Sequence, residues 1–531
     1  MKPRTRLVLQ IAVVVSLCVF LFCYGLGAFG LVGADEPRYS QVAREMFQRN
    51  DWVVPTLNNK PWLEKPPLLY WKIMNSYRFL GVQDWAARVP AAFHGMALVL
   101  VIFFFMRRFR PGSEMDAAFI TAASAAMIAF SRGASTDILL TTYFSLAMLS
   151  WWAWHRTQKN LWLSCFYAFL ALGALGKGPV APGLAALVVA GYAVLRRDFK
   201  LVLRSLWWPG FLLFIVIALP WYAAVSRQVP QFFHVFFVEH NFERFATNLY
   251  QHTQPFWYYL PVFLLSVVPW TIFTIMAIVE ACKTGIGQLR PAGAQQDQDS
   301  LGIFLMVWIL VPVVFFSISR SKLPGYILPV IPAAAILTAD YLALKLKALP
   351  RWAALVHSLL CGALLGGALL APSLMLKQHP ARNVWIAVSV GAVLTAVLVL
   401  LLVLRGGTRI VRFATLIPVI VVLTFLLGPA APVIDEVSSA RTVDARLQEL
   451  GAPQGHIAVF RVKRDVEYGL NFYRNQPISR YERDGIPDGE HIAIIRAGDD
   501  GAFKALLGQR QAALLGGFSP QHLEFFLVSK Q

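Results

Sequence analysis

The chain has 531 residues, of which 57% are hydrophobic and 15% are charged, and its mean hydropathy is +0.56. This balance excludes an ordinary water-soluble protein and indicates a polytopic membrane protein. The formal net charge is +19, but Lys and Arg lie between apolar spans and not in one basic domain, which favours contacts with membrane lipids over nucleic acid.

Apolar spans long enough to cross a bilayer number about 13. Their bounds are roughly 8–32, 84–106, 116–131, 137–154, 161–176, 179–195, 205–225, 256–281, 301–317, 325–344, 352–372, 383–404 and 412–428. With the N-terminus in the cytoplasm, the cytoplasmic loops carry the higher density of Lys and Arg, as the positive-inside rule requires. We therefore expect residues 1–430 to form a transmembrane domain and the C-terminus to lie outside, in the periplasm of a bacterium.

The first outward loop, residues 33–81, contains most of the polar chemistry. Asp35 is predicted to cap the N-terminus of a helix that lies along the membrane surface. Pro66 and Pro67 are predicted to open a second helix, because proline suits the first turn. The apolar face of this second helix is expected to rest on lipid. Its residues are Leu69, Tyr70, Ile73 and Tyr77.

Two later segments complete the predicted architecture. Residues 226–255 form a second outward loop, where Phe232, Phe233, Phe236 and Phe237 predict another helix at the membrane surface. Residues 431–531 are soluble in character and predict a small periplasmic α/β domain. Its predicted strands are His456–Val462, His491–Ala497 and Leu523–Val528, and its predicted helices are Val466–Arg474 and Asp500–Leu507. We expect this domain to be a cap or a lipid-contacting module without catalytic residues.

Two carboxylates at the outward ends of spans form a candidate catalytic site. Asp35 follows the first span, and Asp137 begins a later one in a turn with little other charge. A loop carboxylate beside a membrane is often a helix cap or a solvated charge. Two of them at one cavity mouth instead suit contact with a substrate hydroxyl, an amine or a developing positive charge.

A set of cations is predicted at the same aqueous face. Arg38, Lys65, Lys177, Arg320 and Lys322 suit a lipid phosphate when they act together, and Tyr326 would add a hydroxyl donor. Each cation taken singly is also compatible with a charge that extends from a helix end to the head groups.

A metal site is a weaker prediction from the same loops. Glu64 and His252, with His240 or Glu239, are possible ligands, but they come from distant segments without a recognised motif. A single His in a polar loop is more often hydrogen-bonded than bound to a metal.

Taken together, these motifs resemble a known family. They are Asp35–Tyr39, Glu64–Trp71, Gly176–Pro179, His252 before Pro255–Tyr259, and Ser321–Pro329. Their pattern is similar to the aminoarabinose (4-amino-4-deoxy-L-arabinose) lipid A transferases, which belong with the protein O-mannosyltransferases among the C-type membrane glycosyltransferases. The resemblance covers residues 1–430, and the soluble tail follows where the family has one.

The resemblance implies a fold, a reaction and a set of roles. It implies 13 transmembrane helices, juxtamembrane helices and a C-terminal domain in the periplasm. It also implies a sugar donor linked to undecaprenyl phosphate and lipid A phosphate as acceptor. Asp35 and Asp137 would be the cavity carboxylates. Arg38, Lys65 and Tyr326 would hold the donor phosphate, and Glu64 with His252 would bind zinc.

The expected reaction is sugar transfer at the periplasmic face of the inner membrane, with inversion at the anomeric carbon. Cations at fixed positions stabilise the departing polyprenyl phosphate, and an acceptor phosphate that is already ionised needs little help from a base. A polyprenyl-phosphate-dependent protein O-glycosyltransferase and a lipid or solute transporter are the alternatives. Coupled transporters usually place ionisable residues near the bilayer midplane, whereas the polar groups here gather at one face. The sugar stays open among aminoarabinose, another amino sugar and a neutral hexose.

Overall fold

The computed structural model describes residues 3–243, 254–288, 300–345, 348–451 and 455–530. Helices predominate up to residue 449, and a five-stranded sheet lies in the last part of the chain. The prediction of a helical membrane protein with a small C-terminal α/β region is confirmed.

The helices that precede the sheet vary from 7 to 26 residues in length. They are α1 (Pro3–Cys18), α2 (Asp35–Arg49), α3 (Leu68–Leu80), α4 (Asp84–Phe109), α5 (Glu114–Ala123), α6 (Ala125–Ser131), α7 (Thr136–Thr157), α8 (Asn160–Lys177), α9 (Val180–Arg196), α10 (Phe199–Ser205), α11 (Trp208–Gln228), α12 (Tyr259–Ser266), α13 (Thr271–Gln288), α14 (Ser300–Ile318), α15 (Ile331–Asp340), α16 (Arg351–Met375), α17 (Arg382–Gly406), α18 (Thr408–Leu427), α19 (Ala431–Ser438) and α20 (Ala440–Glu449). A short hairpin of β1 (Thr56–Leu57) and β2 (Lys60–Pro61) lies between α2 and α3.

Within the described residues, eight helical segments are long and apolar enough to cross a membrane. Two bent pairs raise this number to ten if each pair is one span: α5 with α6, bent by 64°, and Phe256–Ser266 with Thr271–Thr284, bent by 117°. The remaining predicted spans correspond to α7, α8 and α9. The predicted total of about 13 spans therefore stays a prediction.

The first loop folds inward, which corrects two expectations. Asp35 is the first residue of α2 but makes no capping hydrogen bond, because its carboxylate accepts from Arg38 instead. Helix α3 packs between α2 and α4. Its supposed lipid-facing residues are buried in the protein core, so the expectation of lipid contact is wrong. These residues are Leu69, Tyr70, Ile73 and Tyr77, each at most 2% exposed.

Glu45 of α2 stabilises the β1–β2 hairpin through hydrogen bonds. Its carboxylate accepts hydrogen bonds from the hydroxyl of Thr56 at 2.7 Å and from the backbone N–H groups of Asn58 and Asn59 at 2.8 and 3.1 Å. Both asparagines have positive φ angles, 55° and 60°, as expected for the two central residues of a tight hairpin. The hairpin leads directly into Trp62 and thus positions the residues that follow it.

The structure describes residues 226–243 and 254–255 of the second loop. Phe232 and Phe236 are buried, and Phe232 packs against Trp221 of α11 at 5.4 Å between ring centroids. Phe233 is exposed. The apolar face of the loop is thus divided between the protein core and the outer surface.

The C-terminal region is built on a mixed sheet. Its strands and helices are α21 (Arg464–Arg474), α22 (Tyr481–Asp484), α23 (Asp500–Leu507), β3 (Ile457–Phe460), β4 (Ser479–Arg480), β5 (His491–Arg496), β6 (Ala512–Phe518) and β7 (Leu523–Val528). The strand order is β4-β3-β5-β7-β6, with β3 parallel to β4 and β5 and with β7 antiparallel to β5 and β6. The predicted strands and helices are all present within a few residues.

Polar contacts fix this region onto the membrane helices. Arg441 binds Asp435 at 2.5 Å and Asp84, in the first turn of α4, at 3.2 Å. The backbone N–H of Gly30 donates to Asp435 at 2.8 Å, and that of Leu31 donates to the Tyr473 hydroxyl at 2.8 Å. The C-terminal region therefore packs directly against the segment that leads into α2.

Candidate active site

Asp35 and Arg38 form the first half of the candidate site. One turn apart on α2, they meet at 2.5 Å between Asp35 Oδ1 and Arg38 Nη2. Glu64 approaches the same nitrogen at 3.8 Å. The Asp35 side chain is 58% exposed, whereas Arg38 is buried. The pair thus presents a solvent-facing carboxylate above a buried guanidinium.

Three aromatic rings surround Arg38. Its guanidinium carbon lies 5.0 Å from the ring centre of Trp62, 5.2 Å from that of Tyr39 and 5.6 Å from that of Tyr468. Burial alone would lower the pKa of Arg38, but its neighbours Tyr39, Glu64 and Asp35 outweigh burial and raise the pKa above its usual value. Arg38 is therefore a permanent buried cation. The ring faces around it use none of its N–H groups, one of which donates to Asp35.

Glu36, next to Asp35, has a different role. Its two oxygens accept from Arg88 of α4 at 2.7 and 2.8 Å, from the N–H of Val32 at 2.9 Å and from the N–H of Ala134 at 2.9 Å. The Nη1 and Nη2 groups of Arg88 also donate hydrogen bonds to the backbone carbonyl oxygens of residues 26, 29 and 30. This buried pair binds the start of α2 to the turn before α7 and so brings the two predicted carboxylates to one end of the helical domain.

Asp137 and Lys177 form the second half. They are ion-paired between the start of α7 and the end of α8, and both are largely buried. Ser135 donates its hydroxyl to Asp137 at 2.8 Å. The Lys177 ammonium also lies 5.0 Å from the ring centre of Tyr326. Lys177 therefore contacts both Asp137 and Tyr326, and the three residues were predicted from separate motifs.

Gly325 shows how closely the two loops of this half approach each other. A Cβ atom at this position would lie 2.8 Å from Asp137 Cγ and 2.8 Å from the Phe130 ring. Only glycine fits without displacement of a neighbour. Lys65, which follows Glu64, lies close enough to Asp137 for electrostatic interaction. Glu64 and Lys65 therefore connect the Arg38 half with the Asp137 half.

Lys322 and Arg320 stand apart from these contacts. The Lys322 ammonium is buried and donates to the carbonyl of Ser319 in its own loop at 2.5 Å. Arg320 is exposed, beside an apolar groove of about 860 Å³ that Trp257 and Val314 also line. The role of Lys322 in phosphate binding stays a prediction.

Of the two predicted zinc ligands, Glu64 lies within the described residues and His252 does not. The Glu64 carboxylate is next to Arg38. Within the described ranges, no group of three His, Cys, Asp or Glu side chains is arranged to hold a metal ion. Those residues alone do not fit zinc, so zinc binding by Glu64 and His252 stays a prediction and no step below depends on it.

Sequence reasoning missed two partners of these residues. Arg88 is a charge inside an apolar span, and an ionisable residue in such a span usually has a specific partner, so its position was a usable signal. Tyr468 is different: it lies on α21 of the C-terminal region, 430 residues after Arg38. Nothing in its local pattern indicates this contact.

Comparison with known proteins places these features in a family. The family model of dolichyl-phosphate-mannose-protein mannosyltransferases matches residues 8–236. An undecaprenyl phosphate-alpha-4-amino-4-deoxy-L-arabinose arabinosyl transferase of Sodalis glossinidius is 29% identical over 87% of this chain and 88% of its own. Another, of Serratia proteamaculans, is 28% identical over 82% of this chain and 83% of its own. The chain is therefore similar to the aminoarabinose transferases over most of its length.

Solved structures agree with this assignment at the level of the fold. The crystal structure of ArnT from Cupriavidus metallidurans bound to undecaprenyl phosphate superimposes with a TM-score of 0.78 at 22% identity, over 99% of this chain and 98% of that one. The apo structure of the same protein gives a TM-score of 0.79. The chain is a multi-pass inner-membrane protein.

Proposed function

We propose that the chain transfers 4-amino-4-deoxy-L-arabinose from undecaprenyl phosphate to a phosphate of lipid A at the periplasmic face of the inner membrane. The observation that carries this proposal is the buried, aromatic-walled Arg38 beside the exposed carboxylate of Asp35. A buried cation next to an open carboxylate suits a ligand that is anionic at one end and polar or cationic at the other, as an amino sugar phosphate is.

Arg38 is the main anchor for the donor phosphate. Its Nε atom is buried, and no acceptor in the described part of the chain lies within hydrogen-bond distance. A buried donor without a partner is costly, and a phosphate oxygen would satisfy it. Each charge-assisted contact of this kind contributes about 1.5–3 kcal/mol. Lys65 and Tyr326 would add contacts to the same phosphate.

Asp35 is the residue that we assign to contact with the sugar of the donor. Its exposed carboxylate is within reach of a sugar amine or of the positive charge that develops at the anomeric carbon when the phosphate departs. The departing phosphate becomes more negative, and Arg38 stabilises it from a fixed position. Attack by an ionised acceptor phosphate from the opposite side inverts the anomeric carbon and requires no strong base.

The Asp137–Lys177 pair supports this arrangement from the second half. The carboxylate of Asp137 holds the Lys177 ammonium against the Tyr326 ring, and so fixes two groups that were predicted to hold phosphate. We also assign Lys322 and Lys177 to phosphate binding, which the positive charge of each would favour. We assign the N-terminus to the cytoplasm and the C-terminal domain to the periplasm, because the loop charges favour that orientation.

The proposal is tested with purified protein reconstituted in lipid vesicles, together with undecaprenyl phosphate carrying a labelled aminoarabinose, lipid A and a periplasmic protein extract. We expect the label to move to lipid A, and mass spectrometry of the product to show added aminoarabinose on a phosphate. Label that stays on the donor while it crosses a vesicle membrane would indicate a transporter and overturn the proposal. Because the matching family model describes protein mannosyltransferases, labelled periplasmic protein would instead indicate a protein O-glycosyltransferase.

A further inference from the structure

Tyr468 of the C-terminal domain reaches into the membrane domain. Its ring is buried and forms part of the same hydrophobic core as the residues of α2 and α3. The ring centre lies 5.6 Å from the guanidinium carbon of Arg38. Of the three rings around Arg38, Tyr39 and Trp62 come from the first loop, and Tyr468 is supplied from a separate domain.

Helix α21 is fixed in the position that this contact requires. One turn after Tyr468, the Phe472 carbonyl accepts from Arg44 of α2 at 2.7 Å, and the Arg44 guanidinium lies 5.6 Å from the Phe472 ring centre. Asn471 donates to the Asn58 side chain at the tip of the β1–β2 hairpin at 2.8 Å. Tyr468, Asn471 and Phe472 share one face of α21, as residues three and four apart do.

Close approach between α20 and α21 limits movement of that helix on its other side. A Cβ atom at Gly469 would lie 2.4 Å from the Cβ of Ala440. The residue next to Tyr468 is therefore pressed against α20, which Arg441 in turn binds to Asp84 of the membrane domain. The ring of Tyr468 is thus held by contacts on two sides of its helix.

We infer that Tyr468 is a positioning residue that fixes the Arg38 guanidinium for the donor phosphate, an assignment that rests on the proposed function. Ring faces attract a guanidinium without using its hydrogen-bond donors. Tyr39 and Trp62 set the orientation of Arg38 from within its own loop. Tyr468 completes the enclosure, so the donor-binding geometry depends on the docked C-terminal domain.

The test compares four forms of the full chain in detergent micelles: wild type, Tyr468→Phe, Tyr468→Leu and Phe472→Leu. Tyr468→Leu removes the ring face and keeps apolar volume, so we expect the KM for the polyprenyl-phosphate sugar to rise about five-fold with kcat within two-fold of wild type. Tyr468→Phe retains the ring face and should restore the wild-type KM. Phe472→Leu is the matched control, because Phe472 lies on the same docking face but contacts Arg44.

A purely structural role predicts a different pattern. In that case Tyr468→Leu and Phe472→Leu would both lower Tm and raise KM to the same extent, which would overturn the inference, as would an unchanged KM in Tyr468→Leu. Adding Tyr468→Leu to Arg38→Lys should raise KM little further, since Tyr468 acts through Arg38. Two fully independent effects would contradict the assignment.

Failure of the proposed function would be seen separately, as absence of sugar transfer by the wild-type protein. Binding of undecaprenyl phosphate to the same four forms then decides the role of Tyr468. Weaker binding in Tyr468→Leu, about five-fold, with unchanged binding in Phe472→Leu supports it. Equal binding in all four forms, or no binding by wild type, overturns it.

Discussion

Asp35 and Glu36 are adjacent in the chain, yet their surroundings differ completely. Glu36 is buried, and its oxygens are taken by Arg88 and by two backbone N–H groups. Asp35 is 58% exposed, and its carboxylate accepts a hydrogen bond from Arg38. A carboxylate whose hydrogen bonds are all made inside the protein serves the fold, whereas one that keeps open positions is able to meet a ligand.

The largest expected effect comes from removing the buried Glu36 carboxylate from its ion pair with Arg88. Glu36→Ala leaves the Arg88 guanidinium buried without its counter-charge, which costs about 3–5 kcal/mol of unfolding free energy. Thermal denaturation of the purified protein should show a strongly reduced Tm. The control is Glu449→Ala, whose exposed pair with Arg446 should contribute only about 0–1 kcal/mol. Equal Tm values for the two variants would mean that the Glu36–Arg88 pair does not hold the fold.

Asp35→Asn tests the role of the exposed carboxylate. The substitution keeps the size of the side chain and removes its charge, so we expect sugar transfer to fall by about 100-fold, equivalent to about 2.7 kcal/mol of activation free energy. Tm should change little, because Asp35 is mostly exposed. The measurement is the initial rate of transfer to lipid A at saturating donor. Full transfer by this variant would remove the role assigned to Asp35.

The Asp137–Lys177 pair lies between these extremes, since it is buried and also belongs to the candidate site. Asp137→Asn and Lys177→Met each leave the partner charge without its counter-ion, and we expect each to lower kcat/KM by about 10- to 100-fold. The double variant should lose less than the product of the two single losses, with a coupling of about 0.5–3 kcal/mol. Additive losses would show that the residues act separately.

Gly325→Ala is expected to have the smallest effect of the four. The new methyl group would displace Asp137 or Phe130, and overpacking of this kind costs about 1–3 kcal/mol. We expect the unfolding free energy to fall by about this amount, and transfer to fall by about ten-fold because Asp137 is displaced. Gly302→Ala is the matched control, because its Cβ would meet nothing within 4 Å. A similar loss in both variants would argue against a close fit at Gly325.

Sequence patterns alone predict the broad organisation of this protein. Long apolar runs predict membrane helices because the bilayer core requires that length, and short alternating or apolar runs predict the C-terminal strands, which the structure has at Ile457–Phe460, His491–Arg496 and Leu523–Val528. The grouping of Asp137, Lys177 and Tyr326 also followed from their position at the same ends of spans. These properties depend on local pattern and on which side of the membrane each turn lies.

Local patterns do not predict what covers each face of an element, because that depends on how the elements pack together. Helical spacing identifies the apolar face of α3, but lipid and protein satisfy such a face equally well, and here the core covers it. Neighbouring carboxylates at 35 and 36 look alike in sequence, and only the path of the chain gives one of them Arg88. The contact of Tyr468 with Arg38 likewise arises from domain docking, because interactions between residues far apart in the chain depend on where the fold brings them together.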